Sequence, residues 1–295
     1  MKLKEGRTEM AKMQRIEITS RRSKIASLAV RALLLIQCFV VIYPVFWSVC
    51  MSLKPNSQFF QDIWGLPKEF AFDNYIRAWQ NSHVGDYFFN SVFVTVVSTV
   101  AIMGTCIPLS YVLGRYVFKG RGVIKALVVS GLLFPSMTAL ISQYLMLSKV
   151  NLLDSYVGLI LIYVAVSVPF SVFMLTGFFS TIPRELEEAA RLDGCGYTKT
   201  MWKIMVPMAK PGIIMVTVLN VLSIWNEYSI ALTLIRDPNK RTMAIGITSM
   251  LNSQTQYTDW GALFAGVCLL MGMSFIIYVL FQRQIRGSVT LGALK

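Results

Sequence analysis

Long apolar blocks separated by short polar segments set the pattern of this chain. Six blocks hold at most one charge each: Ala32 to Leu53, Tyr87 to Leu113, Ala126 to Ser148, Ser155 to Pro183, Pro211 to Ile235 and Trp260 to Gln282. Each reaches the roughly 20 residues that a helix needs to cross a bilayer. Unpaired backbone groups cost several kcal/mol apiece in hydrocarbon, so runs of this length predict helices. An outer-membrane barrel would instead show alternating segments of about 10 residues. The pattern predicts an all-α integral membrane protein: six transmembrane helices over 32–282, a basic segment 1–31 before them and a tail 283–295 after them.

Helix breakers mark the blocks. Gly104 and Pro108 fall in the second, Gly131 and Pro135 in the third, and Pro169 in the fourth. Such residues persist in spans where neighbouring helices or a water-lined cavity satisfy the freed backbone groups. They predict a packed bundle with some polar interior and a kink position at Pro169. The main outward loop, 54–90, carries Trp64, Phe70, Phe72, Tyr75 and Trp79, which suit the headgroup level of a membrane. Residues 148–155 form a short connection.

Composition agrees with the pattern. Charged residues are 15% of the chain and apolar residues 55%, against about 25% charged in a soluble domain. The net charge of +13 raises nucleic acid as a partner, but its placement argues otherwise. Segments 1–31, 114–125, 184–210 and 283–295 together hold 21 Lys and Arg, whereas 54–86, 149–154 and 236–259 hold 7. Basic residues flanking spans are retained in the cytoplasm, which places both termini and 184–210 inside. Arg21, Arg22, Lys24 and Arg31 precede an apolar run of 22 residues, longer than the 7–15 of a signal-peptide core. An uncleaved first span is predicted.

Catalytic chemistry is sparse. Four of the five cysteines (Cys38, Cys50, Cys106 and Cys268) sit in spans, and Cys195 lies in an inward loop where thiols stay reduced. His83 is the only histidine, so no metal site is predicted. No phosphate-cradling Gly-Lys-Ser/Thr loop occurs; no cofactor is expected, and any ATP hydrolysis belongs to another chain. Glu227 is the one charge within a span, toward the outward end of the fifth. It suits a carboxylate that reaches the interface or pairs with a neighbour. Gln143, Asn226 and Tyr228 either line a cavity or hydrogen-bond between helices.

One polar island stands out: "RELEEAARLDGCGYTKTMWKIMVP", residues 184–207. Pro183 suits a first helical position, and Glu185, Glu187 and Glu188 suit the positive end of a helix dipole. Leu186, Ala189, Ala190 and Asp193 fall on one face at i, i+3, i+4 and i+7. Gly194 is a natural stop because it adopts a left-handed backbone cheaply, and Gly196 loosens the joint again. A second helix is predicted from about Thr198 to Val206, ending before Pro207. A connector needs only a few residues; two helices and a defined joint predict a docking element.

Glu188-Ala189-Ala190, Asp193-Gly194 and Ile204-Met205-Val206-Pro207 resemble the EAA loop of permease subunits in binding-protein-dependent ABC importers, with Val206 in the usual Leu place. "FAFDNYIRAW", "FFNSVFVT", "WNEYSIALTLI", "RTMAIGI" and "RGSVTLGALK" extend the resemblance to the second six-span permease of maltose-type carbohydrate importers. The resemblance implies a non-catalytic subunit of the bacterial or archaeal inner membrane. Its partners would be a second homologous permease, a cytoplasmic ATPase dimer and an extracytoplasmic solute-binding protein. It implies ATPase coupling through Glu188, Ala189, Ala190, Asp193, Gly194 and Pro207. Tail residues Gly287, Thr290, Gly292 and Lys295 would reach the ATPase dimer, and the loop 251–261 matches one that in some relatives enters the binding protein's cleft. A polyol or a glycerol phosphate ester is the alternative cargo, and a secondary transporter the alternative class.

Overall fold

A computed structural model of the chain describes residues 21–134, 136–253 and 258–293, and all its regular elements are helical. Among the described residues, four helices are long and apolar enough to cross a membrane, or up to six spans if two bent helix pairs each count as one. The four belong to α1 (Arg21–Ser52), α4 (Val84–Arg115), α7 (Tyr156–Thr181) and α13 (Trp260–Ala293). Between α1 and α4 lie the short helices α2 (Asn56–Gln61) and α3 (Asp73–Gln80). The third apolar block is broken: α5 (Arg121–Ser130) extends to Leu133, and the run from Met137 through α6 (Leu140–Lys149) leaves at 93° to it. The island forms α8 (Glu185–Leu192) and α9 (Tyr197–Met208). The fifth block divides into α10 (Lys210–Trp225) and α11 (Ser229–Leu234), and α12 (Met243–Ser253) precedes α13.

The bundle therefore has two ends. One, called basal, holds the close of α4 and the pair α8–α9. The other, apical, holds α2, α3, the turn at 150–155 and the stretch 236–242. α4 and α7 form the most extensive helix pair. Their core contains Ile102, Leu113, Leu159, Leu175 and Phe179, joined by Val216 of α10. Small residues bring helices together: a Cβ on Gly131 would lie 2.5 Å from Pro169 Cγ, so two of the predicted breaker positions pack against each other. The interior is partly polar, as those breakers suggested. Asn220 Nδ2 donates to Ser171 Oγ at 2.9 Å, and Ser110 Oγ to the Val172 carbonyl at 3.4 Å.

Three features differ from expectation. α1 starts at Arg21, so its basic turns join the first span as one helix; Arg, Lys and Ser propagate a helix already made by the apolar run. The stretch 236–259 is no simple loop. Its Met243, Ala244, Ile245 and Ile247 are buried, and Gly246 seats against the Tyr87 ring, where a Cβ would lie 2.0 Å from Cδ2. Finally, α13 stays helical 11 residues beyond Gln282, to Ala293.

Candidate functional site

The site begins with the glutamates that open α8. Glu185, Glu187 and Glu188 occupy its first turn, where the unpaired amides favour negative charge. Glu185, not Pro183, is the first helical residue, with Arg184 as N-cap, a shift of two residues. At the far end Gly194 has φ +76°, the left-handed stop its position predicts. Gly194 N–H donates to the Arg191 carbonyl at 3.0 Å and Cys195 N–H to the Ala190 carbonyl at 2.9 Å.

The four residues expected on one face divide instead. Ala190 is 3% exposed and, with Glu187 three residues earlier, faces the bundle. Glu188, Ala189, Asp193 and Gly194 are exposed, as is Leu192 at 89%. The inward row is set by Glu187 and Ala190 at i, i+3, a choice that helical spacing alone leaves open.

α9 also departs from expectation, because Pro207 does not end it. Helix continues to Met208 through a π turn at Met201–Met205, and Val206 N–H reaches back to the Met201 carbonyl. Proline removes an N–H and crowds the preceding turn; the widened turn just before it carries that misfit. Direction changes at Ala209 (φ −81°, ψ 0°), and α10 leaves at 77° to α9. Pro207 is exposed at this corner.

Sequence reasoning missed the residues that fasten this element. Arg115, the last residue of α4, pairs with Glu187 Oε2 through Nη2 at 2.9 Å and Nε at 3.0 Å. Their side chains are 4% and 10% exposed. The same guanidinium donates Nη1 to the carbonyls of Ile182 (2.6 Å) and Phe179 (3.3 Å), and Nη2 to that of Pro183 (3.3 Å). It thus caps the close of α7 while holding α8. Next to it, Tyr116 meets Tyr197 edge-on at 5.7 Å and bonds Tyr111 Oη at 2.9 Å, and Arg191 lies over the Tyr197 ring at 5.5 Å. A cavity of about 320 Å³ opens at the joint, lined by Tyr116, Glu187, Arg191, Gly194, Cys195 and Tyr197 among others. The available signal was Arg115 ending an apolar block and Glu187 opening a helix; nothing in the spacing joins them.

Ion pairs also organise the apical end. Arg77 Nε binds Asp259 Oδ2 at 2.7 Å, and Asn74 Nδ2 donates to the carbonyls of Ser52 and Lys54. Burial pushes the Asp259 carboxyl up, but Arg77 and the Ala262 amide outweigh it and hold it below its ordinary 3.8. Lys54, 1% exposed, is spent on the carbonyls of Asp62 and Ile63. At the other apical corner Asp154 accepts from the amides of Arg236 and Asp237 and pairs with Lys240, while Arg236 reaches Tyr144. Trp64, Phe70 and Phe72 are exposed there.

Glu227 pairs with neighbours. Its Oε1 accepts from Ile230 N–H (2.7 Å), and its Oε2 from Ala231 N–H (3.0 Å) and Tyr163 Oη (2.8 Å). It caps α11 where the fifth block breaks. Asn226 Nδ2 bridges to Ser274 Oγ of α13 at 3.2 Å, a helix–helix bond, while Tyr228 and Gln143 are half-buried. Gly287, Thr290 and Gly292 lie on the helical end of α13; Lys295 and residues 254–257 of the apical loop lie outside the described residues.

The chain is a multi-span helical bundle with a two-helix element clasped at one end. Residues 106–287 match the family of the binding-protein-dependent transport system inner membrane component, and the chain belongs to it. It is 35% identical to the diacetylchitobiose uptake system permease protein NgcG of Streptomyces coelicolor, over 90% of this chain and 87% of that one. It is 28% identical to the trehalose transport system permease protein SugB of Mycobacterium tuberculosis, over 85% and 92%. Among solved structures, a chain of a bacterial ABC transporter that imports the acidic polysaccharide alginate has the same fold. Its TM-score is 0.80 at 23% identity, covering 90% of this chain and 98% of that one.

Proposed function

We propose that this chain is the transmembrane permease subunit of a carbohydrate importer, oligosaccharide being the cargo class, and that α8 couples it to a partner ATPase. Relatives named for the uptake of diacetylchitobiose and trehalose support the cargo class. The carrying observation is the surface of α8: Glu188, Ala189, Leu192 and Asp193 project from the basal end while Glu187 and Ala190 hold it to the bundle. An exposed leucine rimmed by carboxylates suits insertion into a groove with basic edges. The excess of Lys and Arg on this side supports a cytoplasmic basal end with both termini. Segments 1–31 and 283–295 then flank a six-span domain, the close of α13 facing the ATPase dimer. A second, homologous permease completes the pathway, and a solute-binding protein delivers cargo to the apical face. Secondary transport is disfavoured, because both oxygens of Glu227 are engaged within the fold.

The test is co-purification and transport. A stoichiometric ATPase is expected to accompany the protein in mild detergent, with ATP hydrolysis stimulated by a loaded sugar-binding protein. Glu188→Ala is expected to abolish transport while the subunit still inserts, and Gly194→Val to do so through its positive φ. Normal sugar transport by both variants with the ATPase attached refutes the docking assignment.

A further inference from the structure

We infer that Arg115 is a positioning residue that makes α8 and the basal ends of α4 and α7 one mechanical unit, so that movement of the docked helix reaches the spans. The inference rests on the docking role of α8, and goes beyond it by naming the link. A helix tied only by its flanking chain would pivot at Pro183 and Gly194 when pushed. Here one guanidinium closes on three elements: Glu187 in α8, the Phe179 carbonyl within the last turn of α7 and, just beyond it, the carbonyls of Ile182 and Pro183. All five donors of arginine lie in a rigid plane, so these bonds fix angle as well as distance. Tyr116 repeats the grip one residue later on α9, through Tyr197. Both short helices are thereby met by consecutive residues at the close of one span, Arg115 and Tyr116.

The fork explains why an arginine serves here. A lysine ammonium is a compact point charge on a flexible stem; it can meet Glu187 but cannot hold the carboxylate and the α7 carbonyls in one plane. The docking face remains free, because Glu188, Leu192 and Asp193 point away from this contact.

The experiment uses the complete reconstituted complex and measures three quantities: ATPase retained, ATP hydrolysed and solute moved per ATP. Arg115→Gln is expected to keep the ATPase and to hydrolyse ATP, with solute moved per ATP falling at least tenfold. Arg115→Lys should fall between. Glu187→Gln, which leaves the carbonyl bonds of Arg115 in place, should also lower solute per ATP and speed hydrogen exchange at 185–193. Glu188→Ala serves as the docking control. If it leaves transport and ATPase attachment normal, the docking reading fails, and the exchange measurement alone then judges the Arg115 clamp. An unchanged ratio in Arg115→Gln with an intact complex overturns the inference. Should Arg115→Gln not insert, unchanged coupling and exchange in Glu187→Gln overturn it equally.

Discussion

Arg115 and Glu187 stand 72 positions apart, and each had an ordinary local explanation: a span-flanking cation and a helix-opening acid. Only the packed bundle shows that the two are one contact. Glu227 was more legible, since an acid within a span demands a partner, but which partner depended on the break beside it. Replacing it tests that account. Glu227→Ala leaves the amides of Ile230 and Ala231 and the Tyr163 hydroxyl without their acceptor. A buried group left unpaired costs about 1–3 kcal/mol, so thermal unfolding in detergent is expected at a distinctly lower temperature. Glu227→Gln, which keeps an acceptor, should recover much of the loss.

At the level of helices, the spans were readable because block length and lack of charge leave a chain in hydrocarbon little choice. The Gly194 joint was readable because few residues tolerate its backbone. The π turn before Pro207 was not, since proline usually marks an end and here the turn widened instead. α12 escaped notice for another reason. Its apolar core, Met243 to Ile247, is only five residues long, too short to show a period, and polar neighbours disguise it as loop. Its burial depends on Gly246 lying on Tyr87. Gly246→Ala is expected to push that ring out of place at about 1–3 kcal/mol, the usual cost of overpacking. Faster proteolysis in 236–259, with the basal end unaffected, would register it.

For the whole molecule, the family match and the shared fold agree with the arrangement that the apolar blocks predicted. The bundle is asymmetric in its fastenings. α1 is only 6% buried within its most apolar window, while the apical end that receives it is tied by Asn74 and Arg77. Stability of the isolated chain is therefore expected to depend on a membrane or a partner to cover α1. Unfolding of the purified subunit should move to higher temperature when the companion permease is co-expressed.

The paired ions of the apical face have an electrical consequence. Segments 54–86, 149–154 and 236–259 contain seven basic and seven acidic residues, so the entire excess of the chain resides elsewhere. Four of those seven cations, Lys54, Arg77, Arg236 and Lys240, are already occupied by carbonyls, carboxylates or a phenol. The finished apical surface is close to neutral, and the excess positive charge of the sequence belongs to the other segments. A protein approaching the apical side gains nothing from this chain of the 10–10³ boost in arrival rate that charged clefts provide. Its encounter rate should stay nearly flat between about 0.01 and 0.15 M salt, over which the screening length shrinks from about 30 to 8 Å. On the proposed topology, the same charge that orients the chain in the membrane is neutralised at the face proposed to receive cargo.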